Sequence, residues 1–516
     1  MRPLVNGRFA IAVLAIACLM TVLLTVAPIR SGSPSAGEYD FWLDWNDDSK
    51  IDMKDVSRVA RAFGTYGLNV SKASLAYDSG WLDLRNETGE TYTITHNLND
   101  TELQVDARDN GPGWNRTYGG ANNDEAYALV QTNDGGYALA GRTRSFGSGF
   151  DDNFWLVKTD AAGNMMWNQT YGGTNNDVAG ALVQTTDGGY VLAGLTSSFG
   201  TGLADFWLIK TDAAGNTQWN QTYGGTTNDV AHALVQTTDG GYALAGYTYS
   251  SGAGSSDSWL VKTDAAGNMM WNQTYGGTSG DETYALVRTV DGGYALAGTT
   301  GSFGAGGADF WLVKTDSAGN AQWNQTYGGY NHDMAYALVQ TVDGGYALAG
   351  ATRSFWPGGY RSWLVKTDSA GNVMWNWTYG GENNDIAYAL VQTVDGGYAL
   401  AGWTGSFGIG GYDFWLIKTN AGGNMMWNQT YGGISWDGTY ALVQTIDGGY
   451  ALAGTTGSFG AGFDDFWLVR TDDSGNVFGV ESGLAWVDSS ANTVTLCRGA
   501  TYTYWNYVRV RMWKPR

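Results

Sequence analysis

The sequence is poor in the residues that staple or stiffen a chain: of 516 residues, 2 are Cys and 6 are Pro. Cys18 falls in an apolar run near the N-terminus and Cys497 near the other end, so no intramolecular disulfide framework is expected once such a run is processed, and stability must come from burial. The 3 histidines, His96, His232 and His332, are scattered without metal-ligand spacing. There is no Cys-x-x-Cys, no Gly-x-Ser-x-Gly and no phosphate-cradling glycine loop between a strand and a helix, so no catalytic set is visible and no organic cofactor is expected. Charged residues make up only 15% of the chain, and 49 acidic against 28 basic side chains leave a net charge of −21. That surplus repels phosphate backbones and anionic lipid head groups, which excludes nucleic acid as a partner and leaves a membrane only the N-terminal segment to hold.

Glycine (77 residues) and aromatics (14%) are plentiful instead, a profile of short strands and tight turns. The segment Trp-Asn-x-Thr-Tyr-Gly-Gly begins at Trp114, Trp167, Trp219, Trp271, Trp323, Trp375 and Trp427, a spacing of 53 and then 52 residues, which makes seven units. Each unit continues through a loop Asp, a strand of the Ala-Tyr-Ala-Leu type (a), an Asp-Gly-Gly turn, and Tyr-Ala-Leu-Ala-Gly (b). A Gly/Ser loop, Phe-Trp-Leu-Val-Lys (c), a Gly-Asn turn and the next Trp-Asn-x-Thr-Tyr (d) complete it. Four short strands, two of them joined by hairpin chemistry and apolar on both faces, make one blade of a β-propeller. The array enters on a d strand at Trp114 and leaves on a c strand at Arg470, so the first d strand is expected to complete the last blade and close a seven-bladed ring over 114–476. The blade order resembles WD40 and quinoprotein propellers, without the Trp-Asp dipeptide or Gly-His pair of the former. That resemblance implies a fold and no activity.

The flanks, 78–110 and 480–516, are each too short for a core, but their strand-like segments together suffice for one small β-sandwich into which the propeller is inserted. Ser79-Gly80-Trp81, Thr95-His96-Asn97-Leu98 and Tyr507-Val508-Arg509-Val510-Arg511 resemble the strand framework of H-type lectins, and no sugar-binding residue is carried over from it. Phe9 to Ala27, preceded by Arg2 and Arg8, reads as a signal peptide or an uncleaved membrane anchor within 1–36, an apolar helix that places the rest outside the cell or on its surface. Within 38–66, Asp44, Asn46, Asp48, Lys50 through its carbonyl, Asp52 and Asp55 precede a helix-like segment at the ligand positions of a calcium loop. This resembles half of a dockerin, with Ser49 where the sharp turn prefers Gly, and implies Ca2+ and a cohesin-like partner.

Repetition supplies its own contrast. The seven loop aspartates, Asp124, Asp177, Asp229, Asp281, Asp333, Asp385 and Asp437, occur once per blade and are expected to cap the Gly-Gly turns and not to act as acids or bases. The a–b and c–d turns are nearly invariant, whereas the b–c and d–a loops, which share the opposite face, vary. On that face lie Arg142, Tyr247, Tyr249, Tyr330, His332, Arg353, Trp356, Trp403 and Trp436, the candidate ligand-binding residues, with aromatics gathered on blades five to seven. The sequons at Asn115, Asn168, Asn220, Asn272, Asn324, Asn376 and Asn428 either carry glycans in an exported chain or reflect copying of one blade. The sequence therefore predicts an all-β, monomeric, non-catalytic cell-surface binding or adhesion protein for carbohydrate or an extracellular protein. The alternative is a polysaccharide-active enzyme or its accessory subunit.

Overall fold

The computed structural model describes residues 113–147 and 151–477 with their side chains. Outside them it describes the backbone of six strands, Ala73–Asp83, Thr91–Thr95, Gln104–Asp109, Leu484–Ser489, Thr493–Arg498 and Tyr507–Pro515. The described residues contain no helix and hence none that could cross a membrane. The apolar run Phe9 to Ala27 and the loop residues Asp44, Asn46, Asp48, Lys50, Asp52 and Asp55 lie outside them.

Seven four-stranded antiparallel sheets form the propeller. In blade one, strands a to d are Asp124–Gln131, Tyr137–Thr143, Asn153–Thr159 and Met165–Tyr171. The pattern repeats through blade six, whose a strand is Asp385–Gln392. Blade seven takes a, b and c from Asp437–Gln444, Tyr450–Thr456 and Asp465–Thr471, and d from Trp114–Tyr118, paired from Phe466↔Tyr118 to Arg470↔Trp114. The seven-bladed all-β ring and its closure by the first d strand are as the repeat predicts.

The core lies between neighbouring sheets. Strands b and c are buried on both faces, and each hydrophobic cluster joins two blades: Ala295, Ala297, Phe310 and Leu312 of blade four pack with Tyr346, Leu348, Trp363 and Val365 of blade five. Where strand c carries Phe, its ring meets the strand-c Trp of the next blade at a steep angle, 4.6 Å between Phe310 and Trp363 and equally between Phe466 and Trp155 at the closing junction. Each d-strand Tyr donates its hydroxyl to a glycine carbonyl in the next blade's c–d turn, from Tyr118 to Gly163 (2.7 Å) round to Tyr431 to Gly475 (2.5 Å). The strand-c cation, Lys in six blades and Arg470 in the seventh, reaches back to the hairpin aspartate, as Lys210 does to Asp187 at 2.9 Å. The Thr185 hydroxyl and the Lys210 ammonium together hold that carboxyl at about 2.

The flanking strands form two three-stranded antiparallel sheets of mixed origin. Tyr507–Pro515 pairs with Ala73–Asp83 and with Gln104–Asp109, while Thr493–Arg498 pairs with Thr91–Thr95 and with Leu484–Ser489.

Candidate functional site

The carboxylates that repeat are structural. Each loop Asp is fully buried and caps the Gly-Gly turn: Gly173 N donates to Asp177 Oδ2 at 2.9 Å, and Gly329 N to Asp333 Oδ2 at 2.9 Å. Ser354 and Thr352 hydroxyls complete the shell of Asp333. The sequon asparagines also serve the blade, each accepting the indole N–H of the strand-c Trp, as Asn168 does from Trp155 at 3.1 Å and Asn115 from Trp467 at 3.4 Å. That bond accounts for the repetition of the Asn.

A second set opens strand c. Asp205, Asp257, Asp309, Asp413 and Asp465 each abut the loop Asp of the following blade: a Cβ on Gly224 would lie 1.8 Å from Asp205 Oδ1 and 2.7 Å from Asp229 Oδ2. Blade one has Asn153 there and blade five Arg361, a neutral and a cationic escape from the same conflict. Burial, with Asp124 and Asp464 alongside, pushes Asp465 up to about 6. A raised carboxyl favours folding below its unfolded value near 4, and that contribution is lost as pH rises through about 6. Asp465→Asn is therefore expected to raise Tm by roughly 2–4 °C at pH 8 and to leave it unchanged at pH 4, as read by calorimetry at the two pH values.

The axis is lined by strand a, whose copies in adjacent blades run side by side. Every copy carries a β-bulge at its fourth residue, seen as the register shift between Ala126 and Ala128 in blade one. The same shift falls at Gly180, His232, Tyr284, Tyr336, Tyr388 and Tyr440. A bulge re-aims a side chain out of the alternating pattern, and here it turns residue four toward the axis. Ring contacts then run blade to blade: Tyr127 to Tyr440 (5.2 Å), Tyr440 to Tyr388 (5.1 Å), Tyr388 to Tyr336 (4.6 Å, stacked), Tyr336 to Tyr284 (5.2 Å) and Tyr284 to His232 (5.0 Å). Tyr127 donates its hydroxyl to Glu125 and Tyr284 to Glu282, so the hydroxyls face the start of strand a, the side of the variable loops. These rings form an aromatic floor on that side of the axis. Burial pushes the His232 imidazole down to about 4, so it is neutral at pH 7.

The walls of the mouth differ by sector. In blade one Arg142 is committed to Glu125 and to Asp152 (3.0 Å), and Arg144 also binds Asp152 (2.7 Å). In blade three Tyr247 packs on His232 (5.6 Å) and edge-on to Tyr249 (5.8 Å). Blades five to seven carry the aromatic wall. Trp403 lies 4.4 Å from Tyr412 and 6.4 Å from Tyr388, and Trp436 lies 6.4 Å from Tyr440, over Gly438, where a Cβ would meet its ring at 2.7 Å. Further out, Arg361 covers the Trp356 ring at 3.8 Å and Arg353 the Tyr360 ring at 5.8 Å. Tyr330 is 86% exposed and His332 is exposed, its Nδ1 accepting from Ala308 N at 3.4 Å, so both stand on the loop crest between blades four and five. A cavity of about 430 Å3 opens among these loops, lined by Gly359, Glu382, Asn383, Asn384, Gly405, Gly411 and Tyr412.

The structure thus brings Trp403 and Trp436 to one wall and Tyr247 and Arg142 to others. The floor tyrosines, Tyr412 and Glu382 are the members that sequence reasoning passed over. The floor had a legible signal: residue four of strand a is Tyr in five blades and Gly or His in the other two, followed in every blade by Ala-Leu-Val.

The fold and the mouth define a seven-bladed β-propeller with a variable-loop face. No protein-family model matches the sequence, and no curated protein matches it. Solved structures align with the chain at low identity. Sqt1 from Chaetomium thermophilum aligns at 11% identity and TM-score 0.41 over 80% of this chain and 100% of that one. A mutant puromycin hydrolase complexed with PGG aligns at 11% and 0.46 over 70% and 54%, and an ancestral GH74 enzyme at 12% and 0.41 over 69% and 47%.

Proposed function

We propose that the protein is an exported, non-catalytic recognition propeller that holds carbohydrate at the mouth between blades five and seven. The observation that supports this reading is the cavity walled by Tyr412 against Trp403, with the side chains of Asn383 and Glu382 beside it. Flat aromatic faces stack on the C–H faces of sugar rings while amides and a carboxylate take the hydroxyls, and glycines at Gly359, Gly405 and Gly411 keep the walls low enough for a chain of sugars to lie across them. Export rests on the Phe9 to Ala27 run alone, and the calcium loop from Asp44 to Asp55, with its cohesin-like partner, rests on its ligand spacing alone. The lectin-like sandwich and glycans on the sequons belong to the same proposal.

The second reading, a polysaccharide-active enzyme, draws on two carboxylates at the mouth in unlike surroundings. Glu125 is paired with Arg142, whereas Glu282 accepts from the Tyr284 and Ser256 hydroxyls. One experiment separates the two. The chain is incubated with soluble and insoluble polysaccharides, in calcium and in EGTA, and retention and new reducing ends are scored together. Retention without release is expected. Release that disappears in Glu282→Gln would establish the enzyme instead, and calcium-dependent retention would implicate the loop at Asp44.

A further inference from the structure

The floor of the mouth has seven positions and six rings. Contacts pass from Tyr127 through Tyr440, Tyr388, Tyr336 and Tyr284 to His232 and stop there, and between His232 and Tyr127 the position belongs to Gly180. Backbone geometry does not demand glycine at this point. Gly141, facing the bulge of its own blade, would put a Cβ 1.9 Å from Glu125 O. At Gly180 the nearest atom to a Cβ is Ala231 O at 3.2 Å, a tight contact that a shift of a few tenths of an ångström relieves, and the residue is outside the left-handed region. No side chain stands where five other blades put a phenol.

The surroundings of that room are specific. At the second residue of strand a and its partner on strand b, where blade one has Glu125 and Arg142, blade two has Val178 and Leu195, and blade three has Val230 and Tyr247. The sector is therefore apolar, with aromatic faces at Tyr127 and His232 on its two sides. Beside it stands His232, whose Cα would lie 3.6 Å from a Cβ at Gly180 and whose buried Nε2 has no hydrogen-bond partner.

We propose that Gly180 opens a slot for one phenol ring, so that a tyrosine-like aryl group of a ligand inserts between Tyr127 and His232 and completes the ring of seven. A neutral imidazole offers Nε2 as donor or acceptor according to its tautomer, and a phenol hydroxyl answers either, which a plain benzene ring cannot. An anionic aryl acid is disfavoured by Glu125 at the neighbouring wall and by the net charge of −21. The slot lies across the mouth from the wall assigned to carbohydrate and does not depend on that assignment: a negative polysaccharide panel leaves it standing.

The test uses the full chain labelled with 15N-histidine, which has only 3 signals to follow, with His232 identified through His232→Gln. p-Cresol and N-acetyltyrosinamide are titrated to several millimolar, with N-acetylphenylalaninamide as control. The His232 signal is expected to shift and saturate with a phenol and to respond at least tenfold more weakly to the phenylalanine compound. Response to both phenols assigns a slot for phenols of either source. Response to N-acetyltyrosinamide alone assigns a polypeptide tyrosine, and to p-cresol alone a free aryl ligand. Gly180→Tyr, which installs the residue that five blades already carry, is expected to fold with an unchanged or higher Tm and to lose the titration by at least tenfold. Gly180→Val, a smaller plug, should weaken it in the same direction. No shift of His232 with either phenol, an undiminished titration in Gly180→Tyr, or a Gly180→Tyr chain that cannot fold would each overturn the proposal.

Discussion

Trp114→Ala in the full chain is expected to cost about 3–5 kcal/mol, the range for truncating a buried Trp, and to move the first opening of the ring to the junction of blades seven and one. Six of the seven d strands are tied to their own c strand by a short turn, as Asn153–Thr159 is to Met165–Tyr171, so a frayed d strand stays near its partner. Trp114–Tyr118 has no such tether, since its ladder to Asp465–Thr471 joins opposite ends of the array. What holds it is side-chain packing. Trp114 is 5% exposed, meets Tyr137 at 5.7 Å, and packs so closely on Gly163 that a Cβ there would lie 2.3 Å from its ring. Trp271→Ala removes the matching contacts in blade three, to Tyr294 at 6.0 Å and to Gly319, but leaves the covalent turn. Hydrogen exchange with mass spectrometry is the check. In Trp114→Ala, protection should fall first in Trp114–Tyr118 and Asp465–Thr471, ahead of every other blade, and in Trp271→Ala it should fall only locally. Equal, local losses in both variants would mean that the seam is no weaker than the other junctions.

The ring was legible because its information is redundant. A period of 52 residues, a hairpin signal in every unit and an incomplete last unit fix blade number and closure before any contact is known. The loop aspartates were legible for the same reason: a residue present once per blade, next to Gly-Gly, answers a need of the turn, and Asp333 does cap Gly329.

The site was less legible, and the obstacle was local geometry. Ala-Tyr-Ala-Leu reads as a regular strand whose Tyr faces a neighbouring sheet, and nothing in that pattern announces a bulge. The clue was indirect: Gly141 and its counterparts at the end of Tyr-Ala-Leu-Ala-Gly have no room for a Cβ because the bulged strand crowds them, so the constant Gly of strand b reports the bulge of strand a. Arg142, read from its variability as available to a ligand, is held by Glu125 and Asp152. Variation between blades marks the mouth, and it does not say which variable residues are already engaged with each other. Trp403 and Trp436 were legible because a large aromatic ring replaces a small residue of neighbouring blades there, and Tyr412 was not, since it sits in a loop whose length and composition drift.

Trp403→Ala is expected to weaken retention of the bound polysaccharide by at least thirtyfold, about 2 kcal/mol, the scale of a central aromatic contact. Trp403 serves the proposed site in two ways. Its indole is half-buried against Tyr412 at 4.4 Å, which fixes the ring that borders the cavity, and its ring contact with Tyr388 at 6.4 Å ties that wall to the floor. Removing it releases the Tyr412 ring that lines the cavity. Trp403→Phe keeps a smaller ring against Tyr412, so an intermediate loss, nearer tenfold, is expected of it. Tyr249→Ala removes a ring of similar size, 46% exposed, from blade three and should leave retention unchanged while altering the surface equally. Affinity electrophoresis in gels containing the polysaccharide reads all three. Because Trp403 lies at the mouth and outside the clusters buried between blades, calorimetry on Trp403→Ala should show a Tm within a few degrees of the parent chain, which distinguishes a lost ligand contact from a lost fold. Retention that survives Trp403→Ala undiminished would move the ligand off this wall, and the loop crest of Tyr330 and His332 would be the next surface to test.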